Sequence, residues 1–372
     1  MEFKLINIKP CDNTFFGDGY KFNFDISNII KSKNTPYPSV FFGAIFTSFL
    51  ANNDEFRREF FKKGECNDEY DHEDILEIGQ VYLFNEKTNR VYIKAPMDLF
   101  INSKGKIALG KFQKYDMKFN SLNYDYIFQS PKDRDFKRIE NMYINIRNIY
   151  DGYLKKQEIR LDLKEENKIF IKNYKVGIGI DKNSKNVEDG KLYKIQQTEF
   201  ANDKKNEWSY IVEYRINRTY LQEKYKKIEV RDLDLGYLKL GGENKACKFK
   251  SINNKDIEKF NSEKMKNFND NIYKIILTSE SYFLEKTDSF FKKNNITILG
   301  MSNSKPIYIG GYDMKDKRTK GGAIRKMYKG YSAGTVFLIK SNKDIEIKTI
   351  YEFFKNGNKK GFNNCVILKE EL

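Results

Sequence analysis

Histidine and paired cysteine are almost missing from this chain of 372 residues, which has one histidine, His72, and four scattered cysteines. Cys11, Cys66, Cys247 and Cys365 contain no C-x-x-C pair, so a zinc site or a disulfide framework is not expected, and neither a metal nor a cofactor is called for. His72 stands among carboxylates in DEYDHEDILE. A carboxylate can orient an imidazole for acid or base work, but an acidic setting repels a polyanionic substrate and no nucleophile is adjacent in sequence. A surface histidine is the expectation. The G-x-x-x-x-G-K-[ST] loop, the H-E-x-x-H helix and the catalytic serine and cysteine signatures are also missing, which argues against an enzyme. No apolar run is long enough to span a bilayer: the longest, Val40 to Ala51, is interrupted by Thr47 and Ser48. MEFKLINIK has no signal-peptide h-region, so a cytoplasmic protein without membrane contact is expected.

What the chain has in excess is positive charge. Lys and Arg total 68 against 52 acidic residues, a formal charge of +16, which favours a polyanionic partner, nucleic acid first. The charge is unevenly placed. From Asp54 to Glu86 eleven acidic residues face four basic ones, so this stretch should avoid phosphate. Between Tyr312 and Gly330 the balance reverses, with Lys315, Lys317, Arg318, Lys320, Arg325, Lys326 and Lys329 against Asp313 and Asp316. A phosphate-binding loop fits there.

The length suits two domains. Phe3, Leu5 and Ile8 mark a first strand, Ser39 to Asn52 a helix with Ser39 as its N-cap, and Gly79 to Phe84 and Arg90 to Ala95 two further strands. This β-α-β-β order opens a ferredoxin-like unit of the RNA-recognition (RRM-like) kind, with the acidic stretch near 53–77 as an insertion. Residues 96–170 show no clear period. Tyr174 to Ile180 and Gly190 to Phe200 read as a β-hairpin, Trp208 to Ile216 as a strand and Ile257 to Phe268 as a helix. Asn271 to Ser279, Thr335 to Lys340 and Asn364 to Lys369 read as strands of a second ferredoxin-like unit. The expected class is α+β, two fused ferredoxin-like domains with inserted loops, over residues 1–170 and 171–372.

Several glycine-marked turns carry the candidate interface. Gly17, Asp18 and Gly19 follow the pair Phe15-Phe16, and such spacing permits positive φ and close backbone approach. Gly241 and Gly242 follow an apolar run and can present N–H groups to a phosphate, with Glu243 opposing unless it braces a base such as Lys245. Gly310, Gly311 and Tyr312 open the basic stretch, which holds Lys320, Arg325 and Lys326 and closes at Tyr331-Ser332-Ala333-Gly334. Bases interleaved with aromatics suit single-stranded nucleic acid, although a solvated surface loop has the same composition. Lys359, Lys360, Gly361 and Phe362 precede the last strand, where a glycine allows close approach to RNA. Lys172 and Lys175, ahead of Gly177, either flank a backbone-binding hairpin or are ordinary strand-end lysines.

Taken in order, these fragments resemble the third-subunit family of the Cmr complex, the type III-B CRISPR effector, within the repeat-associated mysterious protein (RAMP) superfamily. That family opens with LFFRDG, here Thr14 to Gly19 with Gly17 in place of arginine, and continues to a Pro-rich stop and a helix, here Pro36 to Phe46. Its "PaPlD" is echoed by Lys94 to Asp98 and its "GI-ld…eg-LY" hairpin by Val176 to Asp181 and Asp189 to Tyr193. "LGGE" stands at Leu240 to Glu243, "IGGWD" at Ile309 to Asp313 with Tyr for Trp, and "PAGSV" at Ser332 to Val336 with Ser for Pro. The closing "GFG" is Gly361-Phe362-Asn363, where asparagine tolerates positive φ. The resemblance implies a non-catalytic subunit holding the 5′ handle of CRISPR RNA, docked on the large signature subunit and the backbone RAMP subunits, and meeting target RNA only indirectly. It implies a β-hairpin thumb at 175–200 and RNA contacts from the glycine loops. Two other readings remain open: a RAMP-fold endoribonuclease processing CRISPR transcripts, and the equivalent subunit of a type III-A (Csm) or III-D complex.

Overall fold

The computed structural model describes residues 2–17, 29–63, 72–115, 124–153, 161–181, 184, 186–225, 228–264, 271–310, 312–313, 323–324, 327–341 and 346–370. The chain is mixed α+β and divides into two compact units, each made of two stretches: 1–89 with 167–253, and 90–166 with 254–372. A division at 170/171 would give each unit one continuous stretch. The structure interleaves them because the first strand takes its partners from residues beyond 200.

In the first unit β1 (Lys4–Pro10) leads to helix α1 (Pro38–Asn52) and strand β2 (Leu76–Asn85). The chain returns as the hairpin β3 (Phe170–Ile180) and β4 (Val187–Phe200), then β5 (Trp208–Ile216), helix α2 (Arg218–Lys224), β6 (Leu235–Lys239) and β7 (Ala246–Ile252). The sheet order here is β2-β5-β1-β7-β6. With the hairpin and β6 set aside, the chain order β1-α1-β2-β5-α2-β7 is β-α-β-β-α-β, with β1 antiparallel to both β5 and β7. Arg90–Lys94, expected as the next strand, is a strand over those residues and neighbours β2 in the sheet order, while β5 pairs with the other edge of β2.

Helix α1 begins at Pro38, whose fixed φ suits a first helical position, after an extended Tyr37. Ser39 is therefore not the N-cap expected of it, and no side chain caps this end. Phe41, Ile45 and Phe49 are fully buried, and Phe41 meets Tyr210 of β5 edge-on at 5.2 Å. Burial of each such side chain stabilises by about 1.5–3 kcal/mol, so packing rather than capping holds this helix. The burial is not all-round: Ser39 is half-buried and Gly43 and Thr47, four residues apart along the same stripe, are exposed.

In the second unit β8 (Ile272–Leu277), α3 (Thr287–Lys293), β9 (Ile296–Ser302), β12 (Val336–Ser341), α4 (Ile347–Lys355) and β13 (Cys365–Lys369) follow the same β-α-β-β-α-β order. The sheet order is β9-β12-β8-β13, and β10 (Ile307–Ile309) with β11 (Tyr328–Tyr331) form an inserted hairpin. Phe283, Phe290, Phe291, Phe337 and Phe354 pack together in its core. The region 96–170, without a period in the sequence, supplies short strands such as Lys111–Lys114 and Tyr126–Gln129, paired with Phe112 opposite Phe128. Helix Ile257 to Phe268 is observed as Lys255–Lys264, its expected end lying outside the described residues.

One ionic cluster is locked inside the second unit. Asp98 is fully buried and its Oδ2 accepts hydrogen bonds from Lys274 Nζ at 3.0 Å and the Tyr153 hydroxyl at 2.7 Å. Lys274 also meets Glu370 at 3.1 Å. Burial alone would lower the Lys274 pKa, but Asp98 and Glu370 outweigh it and hold the ammonium above the ordinary lysine range. Its contribution is therefore present across neutral pH and is lost only as pH rises through that raised value. Asp98→Ala should lower stability by about 3–5 kcal/mol, since it leaves a buried cation with one partner, and Asp98→Ala/Lys274→Met should recover much of the loss. Urea midpoints of the three proteins test this; equal midpoints for wild type and Asp98→Ala would refute it.

A second pH effect has the opposite sign. Burial would raise the Asp162 pKa, but hydrogen bonds from Asn145 and Tyr92 and the charges of Lys164 and Arg90 hold it below the ordinary aspartate range. That stabilisation is present above the ordinary range and disappears as pH falls through the lowered value. Asp162→Asn should flatten the acid limb of a stability-versus-pH curve, which thermal melts across the acid range would register.

Candidate nucleic-acid interface

In the first unit two glycine-marked segments come together. The Gly242 N–H donates to Phe15 O at 2.9 Å, and a Cβ on Gly241, whose φ is +76°, would stand 2.5 Å from that same oxygen. Behind this contact Phe16 N donates to Ser32 Oγ at 3.0 Å and Lys33 N to Phe16 O at 2.8 Å. Lys172 Nζ donates to Ser32 O at 2.8 Å and Thr198 Oγ1 at 2.9 Å. Thr198 also exchanges both backbone hydrogen bonds with Thr14. The hairpin thus anchors the Phe15-Phe16 turn through Lys172. That lysine, a candidate RNA contact in the sequence, spends its protons on the scaffold instead.

These loops border a cleft of about 510 Å3 lined by Gly17, Ser39, Gly43, Thr47, Lys239 and Gly241 among others. Gly17, Ser39, Gly241 and Gly242, all named from the sequence, meet here; Asp18 and Gly19 lie outside the described residues. Gly43, Thr47 and Lys239 were missed, although the spacing 39, 43, 47 places three small or polar residues on one stripe of an otherwise apolar helix. A Cβ added to Gly17 or Gly43 would meet no atom of the described residues within 4 Å, and neither φ is positive. The described residues therefore give no steric or conformational reason for glycine at these two positions, and Gly43 costs a helix interior about 1 kcal/mol relative to alanine. Both open onto the cleft.

Among the described residues lining the cleft, Lys239 is the only charged one. Glu243 beside it takes a hydrogen bond from Gln197 Nε2 at 2.6 Å and lies 3.8 Å from Lys175. It braces Lys175 and not Lys245, which pairs with Asp12. A backbone hydrogen bond from Asn13 and the Lys245 ammonium together hold the Asp12 pKa below its usual range. On β3, Tyr174, Val176, Ile178 and Ile180 form an exposed apolar stripe on alternate residues of the expected thumb.

The second unit gathers the other candidates. Gly310 closes β10 directly against Met327, where a Cβ would stand 2.8 Å from the Met327 Cγ, and Tyr312 opposite Ile324 extends the same hairpin. Gly311, Lys320, Arg325 and Lys326 of the basic stretch lie outside the described residues. Tyr328 stacks on Tyr282 with ring centroids 5.0 Å apart, and Phe362 meets Tyr282 edge-on at 5.4 Å. Asn363, at φ +60°, receives Tyr282 N at 2.9 Å and returns a bond to Tyr282 O at 3.1 Å. Gly361, at φ +85°, and Phe362 are both buried, and this pair braces the loop. Lys359 and Lys360 beside them are half-buried.

His72 is exposed, with its ring edge-on to Phe46 at 4.9 Å and Phe60 at 5.6 Å. Among the described residues no group of three His, Cys, Asp or Glu side chains is placed to hold a metal ion, and no helix is long and apolar enough to cross a membrane.

Comparison with known proteins adds three findings. The family model described as CRISPR-associated protein (Cas_Cmr3) matches residues 6–370. A chain of the type III-B Cmr-beta complex bound to cognate target RNA, solved by cryo-EM, is similar at 16% identity and a TM-score of 0.51, covering 97% of this chain and 96% of that one. A chain of the same complex bound to target RNA and AMPPnP gives 15% identity, a TM-score of 0.49, and 97% and 96% coverage. No curated protein matches.

The two classes of glycine separate experimentally. Gly241→Ala should lose about 1–3 kcal/mol, because φ is positive and the Phe15 carbonyl blocks the new methyl. Gly17→Ala and Gly43→Ala should fold with unchanged or slightly increased stability. Thermal melts of the three variants decide this; a Gly43→Ala protein as unstable as Gly241→Ala would contradict it.

Proposed function

As the chain belongs to the Cas_Cmr3 family of CRISPR-associated proteins, we propose that it is a non-catalytic RNA-binding subunit of a type III-B effector complex, holding the 5′ handle of the CRISPR RNA. The observation that carries the proposal is the cleft in the first unit. Two glycines that the described residues do not require, Gly17 and Gly43, open onto a space bordered by Ser39, Lys239 and Gly241. Glycine there admits a ligand backbone where any side chain would project into it. Phosphates suit a site that offers a lysine and the hydroxyl residues Ser39 and Thr47. The β-α-β-β-α-β order with a 2-3-1-4 strand arrangement in both units supports reading each as a ferredoxin-like, RRM-like domain. The exposed apolar stripe on β3 suits a thumb that wedges against a base. Its partners are CRISPR RNA, the large signature subunit and the backbone RAMP subunits, with target RNA met only through the complex; the solved relatives are chains of complexes bound to target RNA.

The basic residues between Gly310 and Met327 supply further charge for the strand. Tagged protein purified from its host should carry short RNAs that share one constant 5′ end, and their sequencing tests the handle assignment directly. Binding should fall steeply with salt, by about 0.7 log units in affinity per tenfold salt for each phosphate contacted. Replacing Lys320, Arg325 and Lys326 by Gln should reduce both the affinity and that slope. RNAs with unrelated 5′ ends, or binding indifferent to salt, would overturn the reading.

A further inference from the structure

Strand β6 is the outer strand of the sheet in the first unit. Leu235 and Tyr237 on it are 63% and 70% exposed, and Tyr237 is the most exposed large apolar side chain among the described residues. An edge strand showing a leucine and a tyrosine to water invites unwanted pairing unless something covers it. The face they share is also rich in lysine, with Glu207 beyond it holding Lys9 and sensing the charge of Lys250. Residues 235, 237 and 239 point the same way, and across the strand pair Leu235 stands opposite Lys250 and Tyr237 opposite Lys248. Lys239, Lys248 and Lys250 are exposed, and the strands themselves, LGYLK and ACKFKSI, contain no carboxylate. The nearest acidic residue before β6, Asp234, has the opposite parity and so belongs to the other face. On the neighbouring strand Lys9 lies opposite Lys248 and is paired with Glu207, while Lys248 and Lys239 have no ion pair among the described residues.

Lys239 lines the glycine cleft and ends this same row, about 7 Å along the strand from Tyr237. We propose that the Tyr237 face of β6 and β7 is a stacking platform for single-stranded RNA leaving the cleft: the ring takes a base, and Lys239, Lys248 and Lys250 take the flanking phosphates. This rests on the RNA-binding reading given above. Charge selects the occupant. A strand added by a protein partner would satisfy the edge backbone but leave three lysines facing it, whereas a polyanion with flat bases uses both the lysines and the ring.

The test uses the full chain and a short single-stranded oligoadenylate as probe. Tyr237→Ala should weaken binding roughly 5- to 150-fold, the range of one lost base stack, while Tyr237→Phe should bind like wild type. Lys248→Gln should lower the salt slope by about 0.7. Because the single native tryptophan, Trp208, is buried, a Tyr237→Trp variant gives a surface reporter. Its emission should be quenched by the oligonucleotide and not by inorganic polyphosphate. Wild-type affinity in Tyr237→Ala, with binding still lost on neutralising Lys320, Arg325 and Lys326, would overturn the platform and leave the RNA-binding reading standing. Failure of the wild type to bind any RNA would overturn both. Loss of a co-purifying subunit with unchanged RNA affinity in Tyr237→Ala would make the face a protein-docking edge instead.

Discussion

The register of β1 sets the geometry of the first unit. Leu5 lies opposite Glu213 on one side and Ile252 on the other, so seven residues near the chain start fix the alignment of two strands that follow more than two hundred residues later. Cys11 N then donates to Ala246 O, and Thr14 exchanges backbone bonds with Thr198, carrying the Phe15-Phe16 turn to Gly242. A slip of one residue would turn Ile6 and Ile8 out of the core and move Phe15 away from the glycines that fit it. The cleft is a consequence of this pairing and cannot exist before β5 and β7 have been added to β1. Contacts of such sequence separation form slowly, and until they do α1 has no sheet against which to bury Phe41, Ile45 and Phe49.

Much of this was legible in the sequence where a single element carried its own signal. Trp208 to Ile216 alternates apolar and polar residues and is a strand over those residues, and the two arms of the β3–β4 hairpin announced themselves around a polar loop. Asn363 has the positive φ expected of an asparagine replacing glycine. What stayed hidden was partnership. Lys172 looked like a free strand-end base, but Ser32 and Thr198, two unremarked polar residues, claim its protons. Phe362 looked like a surface aromatic and is buried against Tyr282. A sequence period reports which way a side chain faces and says nothing of what it will meet.

Shape and charge are divided in the first unit. The described lining of the cleft combines glycines and other small residues with Phe16, Tyr37, Val40 and one lysine, and the adjacent carboxylate, Glu243, is already engaged by Gln197 and Lys175. Such a site discriminates by what can fit, since a single lysine in a solvent-open cleft gives little affinity once salt screens it. Lys239, Lys248 and Lys250 on β6 and β7 are exposed and add positive charge to the same unit.

The glycines distinguish structure from function in this site. Gly241 is explained by the fold alone: its φ is positive and a methyl there would collide with the Phe15 carbonyl. For Gly17 and Gly43 no described residue supplies such a reason: none lies within 4 Å of an added Cβ, and neither φ is positive. In mid-helix Gly43 even works against the element that contains it. These two glycines leave the cleft open, while Gly241 keeps its rim in shape.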